Sequence, residues 1–566
     1  MADDKLATIH DALKDTLKWG RASDALADLV PWIEWVTAHG DRLHAIDKSK
    51  HVKVCAMLAE VADHSGLYAQ AAKAIARADA WFGGLKQHPD DDLLYVRECL
   101  RARVVSAFVK EYRQGHLGSA RESIEECVAL MERLAETTPS KMWATRGQAH
   151  RYLAEVERTT HQYERSRQLL FRALDCYHQR FQHEVEAAAN LAADARADRL
   201  KEETAFLQHR SALCFLSISR VDYLRGVAGA EESARAAQAL LANGSDPLSL
   251  ATVCLVRGLI QRNQFKKDDP PEELEAPRKL IEKALEVFEE HHHDPKLLWA
   301  LYEHAVLVIV ARRRHEAGQA LTKVEKTARK LIAQSAGIGG EWMERRAWRF
   351  IAYSYARRSR LARELSGWSH QALRWAERAL KEAEDRRLPR ARVDAMIARA
   401  SARLMDNTPQ NAASAEKDLR DAQKRGERAG ALDARFRAVI AALLAQCRLR
   451  QEDLAGAESW LQRARVHAAH IDHANVRTLI DEISSEVDET HGSVVLRVED
   501  VTTYDDAKEK LRKFLVDVSD RLQLSPVEAA KQFQVGAATF YRWLDAAEAQ
   551  RARRRAAKEP ARRKQR

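Results

Sequence analysis

Few residues of this chain stand at a spacing that catalysis requires. His291-His292-His293-Asp294 offers metal-ligating side chains in a row, but sequence neighbours diverge around a helix end and rarely converge on one ion. The run reads as a solvated turn. Ala336-Gly337-Ile338-Gly339-Gly340 is glycine-rich, yet no Lys-Ser/Thr pair follows and no strand precedes it, as a phosphate loop would need. No nucleophile elbow, zincin histidine pair or paired-cysteine ribbon occurs. The expectation is a protein that is not an enzyme, with no cofactor and no metal.

Cationic recognition chemistry is better represented. Residues 341–364 (EWMERRAWRFIAYSYARRSRLARE) interleave Arg345, Arg346, Arg349, Arg357, Arg358, Arg360 and Arg363 with Trp348, Phe350, Tyr353 and Tyr355. Arginine beside aromatic rings can hold a nucleic-acid backbone or an acidic peptide. An amphipathic helix with aromatics inside and charges outside gives the same pattern, and this structural reading is the one favoured. The denser signal is C-terminal. Residues 551–566 hold nine basic side chains and one acid, so they carry +8 of the chain's net +10. A densely anionic partner therefore meets the end of the chain, because the rest is close to neutral.

The elements that position these residues are helical. In 566 residues there are 22 Gly and 12 Pro, too few for a fold of many short strands, while 46% hydrophobic and 31% charged residues suit helices with solvated faces. The most apolar stretch, 297–311, contains Glu303 and His304 and is too short to span a bilayer, so no membrane partner is expected. The opening MADDKLATIHDALK is no secretory signal. Cys55, Cys99, Cys127, Cys176, Cys214, Cys254 and Cys447 form no close pair and read as reduced core cysteines of a cytoplasmic protein.

A helical signature recurs: a Tyr, Leu or Ser, then a small residue, a large apolar one and another small one. It appears at Tyr68/Ala71/Ile75/Ala78, Leu117/Ala120/Ile124/Cys127, Tyr163/Ser166/Leu170/Ala173, Ser369/Ala372/Trp375/Ala379 and Leu454/Ala457/Leu461/Ala464. Such offsets put the side chains on one helix face, where small residues let a second helix approach. Leu58-Ala59, Leu153-Ala154 and Leu444-Ala445 stand upstream at the distance of a preceding antiparallel helix. Pro89, Pro139, Pro247, Pro295 and Pro389 mark helix starts and divide the chain into units of about 47–54 residues. The stretch from Tyr163 to Arg225 has no Pro or Gly, which predicts an unusually extended helix. On these residues the chain resembles a tetratricopeptide-repeat (TPR-like) α-solenoid, with longer units than usual and with the family's Trp and Gly near the unit start mostly missing. The expectation is an all-α superhelical array of about ten antiparallel helix hairpins over residues 1–490. The resemblance implies a protein or peptide partner on the concave face.

Composition shifts after His491-Gly492. Residues 491–503 form a linker or short strand (Val494–Val498), and the apolar residues Ala507, Leu511, Phe514, Leu515, Val518 and Leu522 make one helical stripe. Then comes SPVEAAKQFQVGAATFYRWLDA, residues 525–546. Ser525 as N-cap, Pro526 as first helical residue and Glu528 form a capping box. Gln534-Val535-Gly536 is a tight turn, and a second helix begins near Ala537. Ala529-Ala530, Val535, Thr539-Phe540-Tyr541-Arg542 and Leu544 resemble the Fis-type helix-turn-helix that ends many bacterial enhancer-binding regulators, with Gln534 where that family usually has Gly. The resemblance implies a helix-turn-helix module over 504–548, a basic tail over 549–566, and double-stranded DNA as partner.

In that reading Arg542 reads guanine, Ala537, Ala538 and Thr539 touch phosphate or a thymine methyl, and Tyr541 and Ser525 contact phosphate. Arg551, Arg553, Arg554 and Arg555 supply charge that residues 524–550, at net −1, lack. The resemblance also implies a homodimer through this module. The expected function is a non-catalytic DNA-binding regulator, cytoplasmic and nucleoid-associated when bound. Two readings compete with it. The last helices could cap the solenoid, or the whole could be an adaptor whose tail docks on RNA or acidic partners.

Overall fold

The computed structural model describes residues 2–491 except 20–25, 88–91, 114, 136–138, 228, 243–245, 267–268, 336–340, 364–368, 470 and 472; beyond 491 it describes positions 512, 516, 525, 527, 531, 541, 542 and 544. Among these residues every regular element is a helix. Three helices, α1 (Ala2–Trp19), α2 (Leu26–Ala38) and α3 (Gly40–Ile46), open the chain. Antiparallel hairpins follow. The first pairs α4 (Lys48–His64) with α5 (Tyr68–Ala74), and α6 (Ala78–Gln87) leads to the next. That one joins α7 (Leu93–Ser106), prolonged by a π-helical turn over Ala107–Tyr112, to α8 (Leu117–Ala135).

Next come α9 (Pro139–Thr159) with α10 (Tyr163–Ala188), α11 (Ala193–Arg225) with α12 (Ala230–Leu241), and α13 (Pro247–Gln264) with α14 (Glu275–Glu290). They are followed by α15 (Asp294–Val310) with α16 (Arg314–Ser335) and α17 (Glu341–Arg363) with α18 (Ser369–Asp385). The last pairs are α19 (Pro389–Arg403) with α20 (Pro409–Arg428) and α21 (Ala434–Arg450) with α22 (Leu454–Ala468), and α23 (Ala474–His491) begins a tenth unit. The chain is thus an all-α, TPR-like array of helix hairpins. No helix among the described residues is long and apolar enough to cross a membrane.

The repeat signature falls on the second helix of its hairpin each time. Ala71, Ala120, Ser166, Ala372 and Ala457 are fully buried, because each is where the first helix lies closest. Leu58-Ala59, Leu153-Ala154 and Leu444-Ala445 sit buried in the preceding helix, as expected. At Tyr68 the face is shared: α5 stops at Ala74 and Ala78 opens α6. Pro139, Pro247 and Pro389 are first residues of α9, α13 and α19, and Pro295 is the second of α15; Pro89 lies outside the described residues. The long segment without Pro or Gly makes two extended helices, of 26 and 33 residues, parted at Ala189–Ala192. All seven cysteines are buried and none is in a disulfide among the described residues, and burial pushes the Cys55, Cys214 and Cys447 thiols up to about 12.

One turn chemistry closes most hairpins. A residue in the left-handed region follows the first helix, and the next amide donates five residues back, as Leu67 does to the Ala62 carbonyl, Gln162 to Glu157, Val227 to Asp222 and Asp453 to Arg448. Gly66 and Gly226 occupy the left-handed position at two of these turns, but His161 and Glu452 hold it at the other two, and His292, Arg312, Arg387 and Asn407 hold it elsewhere. A non-glycine there costs roughly 1 kcal/mol. Side-chain caps start α4, α7, α13, α21 and α22: Asp47, Asp92, Asp246, Asp433 and Asp453 each accept a backbone N–H from the first turn.

The array winds back on itself. The turn after α4 meets the start of α15, where the His293 ring hydrogen-bonds the His64 carbonyl at 3.2 Å. The turn after α9 meets α19, whose Arg390 donates to the Tyr163 hydroxyl and pairs with Asp433 at 2.5 Å. Helix α23 packs on α13. In each case the partners are about five hairpins apart, so first helices are buried on both sides rather than lining an open groove. Close approach is also demanded within hairpins. A Cβ at Gly258 of α13 would stand 2.7 Å from Ile281 Cγ1 and 3.0 Å from the Pro277 carbonyl of α14. Gly258→Ala is therefore expected to lower the unfolding free energy by about 1–3 kcal/mol in urea titrations, against the gain in helix propensity; unchanged or greater stability would contradict the packing.

Candidate functional site

The first helices of seven successive hairpins leave a cavity of about 450 Å3 on the superhelix axis. Its wall carries eight Arg or Lys side chains and four carboxylates, an excess of four positive charges with the histidines neutral. Tyr68, Phe108, Tyr112, Tyr152, Trp299 and Phe350 supply its apolar surface. Phe108 and Tyr112 reach it because the π-helical turn shifts the register at the end of α7, a device frequent at functional sites.

Most of the carboxylates are spent on neighbours. Asp63 takes Arg113 in a two-pronged pair, both contacts at 2.8 Å, and the guanidinium lies over the Tyr68 ring at 4.7 Å and the Phe108 ring at 4.9 Å. Glu155 accepts from Arg158 at 2.6 Å and faces Arg220 at 3.5 Å. Burial opposes its ionisation, but Arg158 and Arg220 outweigh that and hold the carboxyl well below the usual range. Glu60 is engaged by Arg101 at 2.8 Å, with Arg210 at 3.8 Å. Asp246, the cap of α13, accepts from the Ser249 amide at 3.1 Å and stands 3.0 Å from the His64 ring. There too burial is outweighed, chiefly by His64, and the carboxyl is depressed.

Three cations are left over. Arg151 of α9, Lys296 of α15 and Arg349 of α17 line the cavity and make no ion pair among the described residues. Arg151 only lies over the Tyr152 ring, at 4.7 Å, and its Nε is buried without an acceptor. Burial, and after it the neighbouring Arg349, disfavours the charged form of Arg346. A second hollow lined by α1, α4, α7, α9, α10 and α11 also carries more cations than carboxylates, seven to four, but there Arg97 pairs with Glu98, Arg180 with Glu203 and Arg199 with Glu184.

The residues singled out in the sequence are distributed differently. His293 is buried as the cap of α15 and as the contact to His64, not solvated as its run suggested, while His292 is exposed. In α17, Arg346 and Arg349 face the cavity, Arg357 donates to the Tyr302 hydroxyl at 3.1 Å, and Arg358 pairs with Glu325 at 2.7 Å. The simple division of aromatics inside and charges outside fails there, because this helix is covered on both sides. Of the C-terminal candidates, Ser525, Tyr541 and Arg542 are exposed, Tyr541 and Arg542 on helical backbone, with Val516 buried and Leu544 half-buried. Ala537, Ala538, Thr539, Arg551, Arg553, Arg554, Arg555 and the 494–498 run lie outside the described residues. Sequence reading missed Arg151 and Arg220, which interrupt apolar helical stretches, and Lys296, which stands in the first turn of α15.

Lys296 gives the cavity a pH signature. Burial pulls its amine from the ordinary 10.5 to about 8, opposed by Asp246 and Asp63 and assisted by Arg220 and Arg113. Between pH 8 and 10.5 the unfolded chain holds this proton and the folded chain does not, so stability should rise with pH in that window. The difference in unfolding free energy between the parent and Lys296→Met should carry that slope; a flat difference would mean that the amine is solvated.

No family model and no curated protein matches the chain. Among solved structures it is similar to yeast Tom70, at 12% identity over 87% of this chain and 97% of that one, with a TM-score of 0.36. It is also similar to a Rap protein complexed with competence and sporulation factor, at 12% identity over 69% and 99%, TM-score 0.38. A third is the human IFIT1 dimer with PPP-AAAA, at 16% identity over 82% and 95%, TM-score 0.30.

Proposed function

We propose that this chain is a non-catalytic regulator: its superhelix takes a ligand or partner segment into the axial cavity, and its C-terminal segment binds duplex DNA. The observation that carries the reading is the cavity itself, a polar hollow on whose wall seven hairpins place eight Arg or Lys side chains and four carboxylates. Occupancy has a route to the chain's end. Asp246 on the cavity wall caps α13, and α23, which leads into the C-terminal segment, packs on that helix.

For the DNA half, support comes from exposed Tyr541 and Arg542 on helical backbone and from the nine basic residues of 551–566. Arg542 is suited to guanine and Tyr541 and Ser525 to phosphate, with the tail supplying most of the affinity and two chains able to share a pseudo-palindromic site. Gel shifts test this directly. With about five tail phosphates neutralised, log affinity should fall against log salt with a slope near −4 to −5. Deleting residues 551–566 should flatten that slope, and Arg542→Ala should erode sequence preference instead. Unchanged affinity after the tail deletion would remove the DNA half and leave the protein-gathering adaptor.

A further inference from the structure

What enters the axial cavity is decided by the charges left over on its wall, a question that rests on the ligand-binding reading of that cavity. Arg151, Lys296 and Arg349 come from three different helices, α9, α15 and α17, so no single helix's register forces them together. Each could be a Met or Leu at no cost to helix formation. A cation inside a protein without a counter-ion costs several kcal/mol, and here none of the four wall carboxylates pairs with these three. Among the described residues, then, these three cations have no counter-charge, and a bound anion would supply it.

Size and chemistry narrow the guest. A cavity of about 450 Å3 suits a small-molecule ligand rather than a single phosphate ion. Seven of its eight cations are arginines, whose planar forks match phosphoryl oxygens two at a time. The geometry points to a phosphoryl polyanion with about three to four negative charges, a bare tripolyphosphate or a nucleoside triphosphate, held by Arg151, Lys296 and Arg349. In the nucleoside form the ring system has Trp299 and Phe350 on the wall to lie against.

Calorimetry and thermal unfolding on the full chain, with magnesium-free tripolyphosphate and adenosine triphosphate as probes, test this. At least one probe should bind one to one and raise Tm; equal affinities assign recognition to the phosphates, and tighter binding of the nucleotide adds the rings. Lys296→Met and Arg349→Gln should each weaken binding at least about tenfold, as loss of a buried charge partner does. Without ligand, Lys296→Met should keep or raise Tm, since it removes an unmatched charge, and it reads the outcome alone if Arg349→Gln fails to fold. Binding that survives both substitutions places the anion on the basic tail and overturns the assignment. Binding of a polyglutamate peptide but of neither phosphate probe overturns the phosphoryl class while sparing the cavity as a ligand site. No binding of any of the three overturns both.

Discussion

A single buried carboxylate ties the local and the long-range order of this chain together. Asp246 caps α13 through the Ser249 amide and, on its other oxygen, meets His64 from the first hairpin. The cap alone is worth roughly 1 kcal/mol. The second contact matters more, because it joins units that a simple solenoid would keep apart. Repeat arrays gain stability from nearest neighbours and remain ribbons. Here the His64–Asp246 and His64–His293 contacts, the Arg390 links and the seat of α23 on α13 close the ribbon into a wound body.

Closure explains the electrostatics. Winding about five hairpins per turn covers the first helices on both faces, so polar groups that a groove would leave in water must find partners. Asp63 with Arg113 and Glu155 with Arg158 and Arg220 do so at good geometry. Arg151, Lys296 and Arg349 do not. Such a remainder opposes stability, and strain of that kind is tolerated where function needs it. The π-helical turn at Ala107–Tyr112, which sets Phe108 and Tyr112 into the wall, is a second local departure from regularity at the same place.

Much of the fold was legible in the sequence because its cause is local. Small residues such as Ala120, Ser166 and Ala457 must lie where helices touch, and Pro139, Pro247 and Pro389 can stand only at helix starts. The glycine punctuation of the repeat was harder to read, since His161, Arg312, Arg387, Asn407 and Glu452 take the left-handed turn positions. The cavity was not legible at all. Arg151 and Arg220 looked like ordinary breaks in apolar stretches and Lys296 like part of a polar helix start, and only a contact between residues 229 apart, His64 and His293, turns them into one wall. Nothing in helical periodicity encodes how tightly a superhelix winds.

Tight winding is the claim on which the cavity depends, and a double-mutant cycle between His64→Ala and Asp246→Asn measures it most directly. Equilibrium unfolding of the parent, both single variants and the double variant near pH 6 should give a coupling of about 0.5–3 kcal/mol, as residues in contact show. Effects that add to within about 0.3 kcal/mol would mean that the first hairpin and α13 do not touch, and that the axial cavity is an open groove.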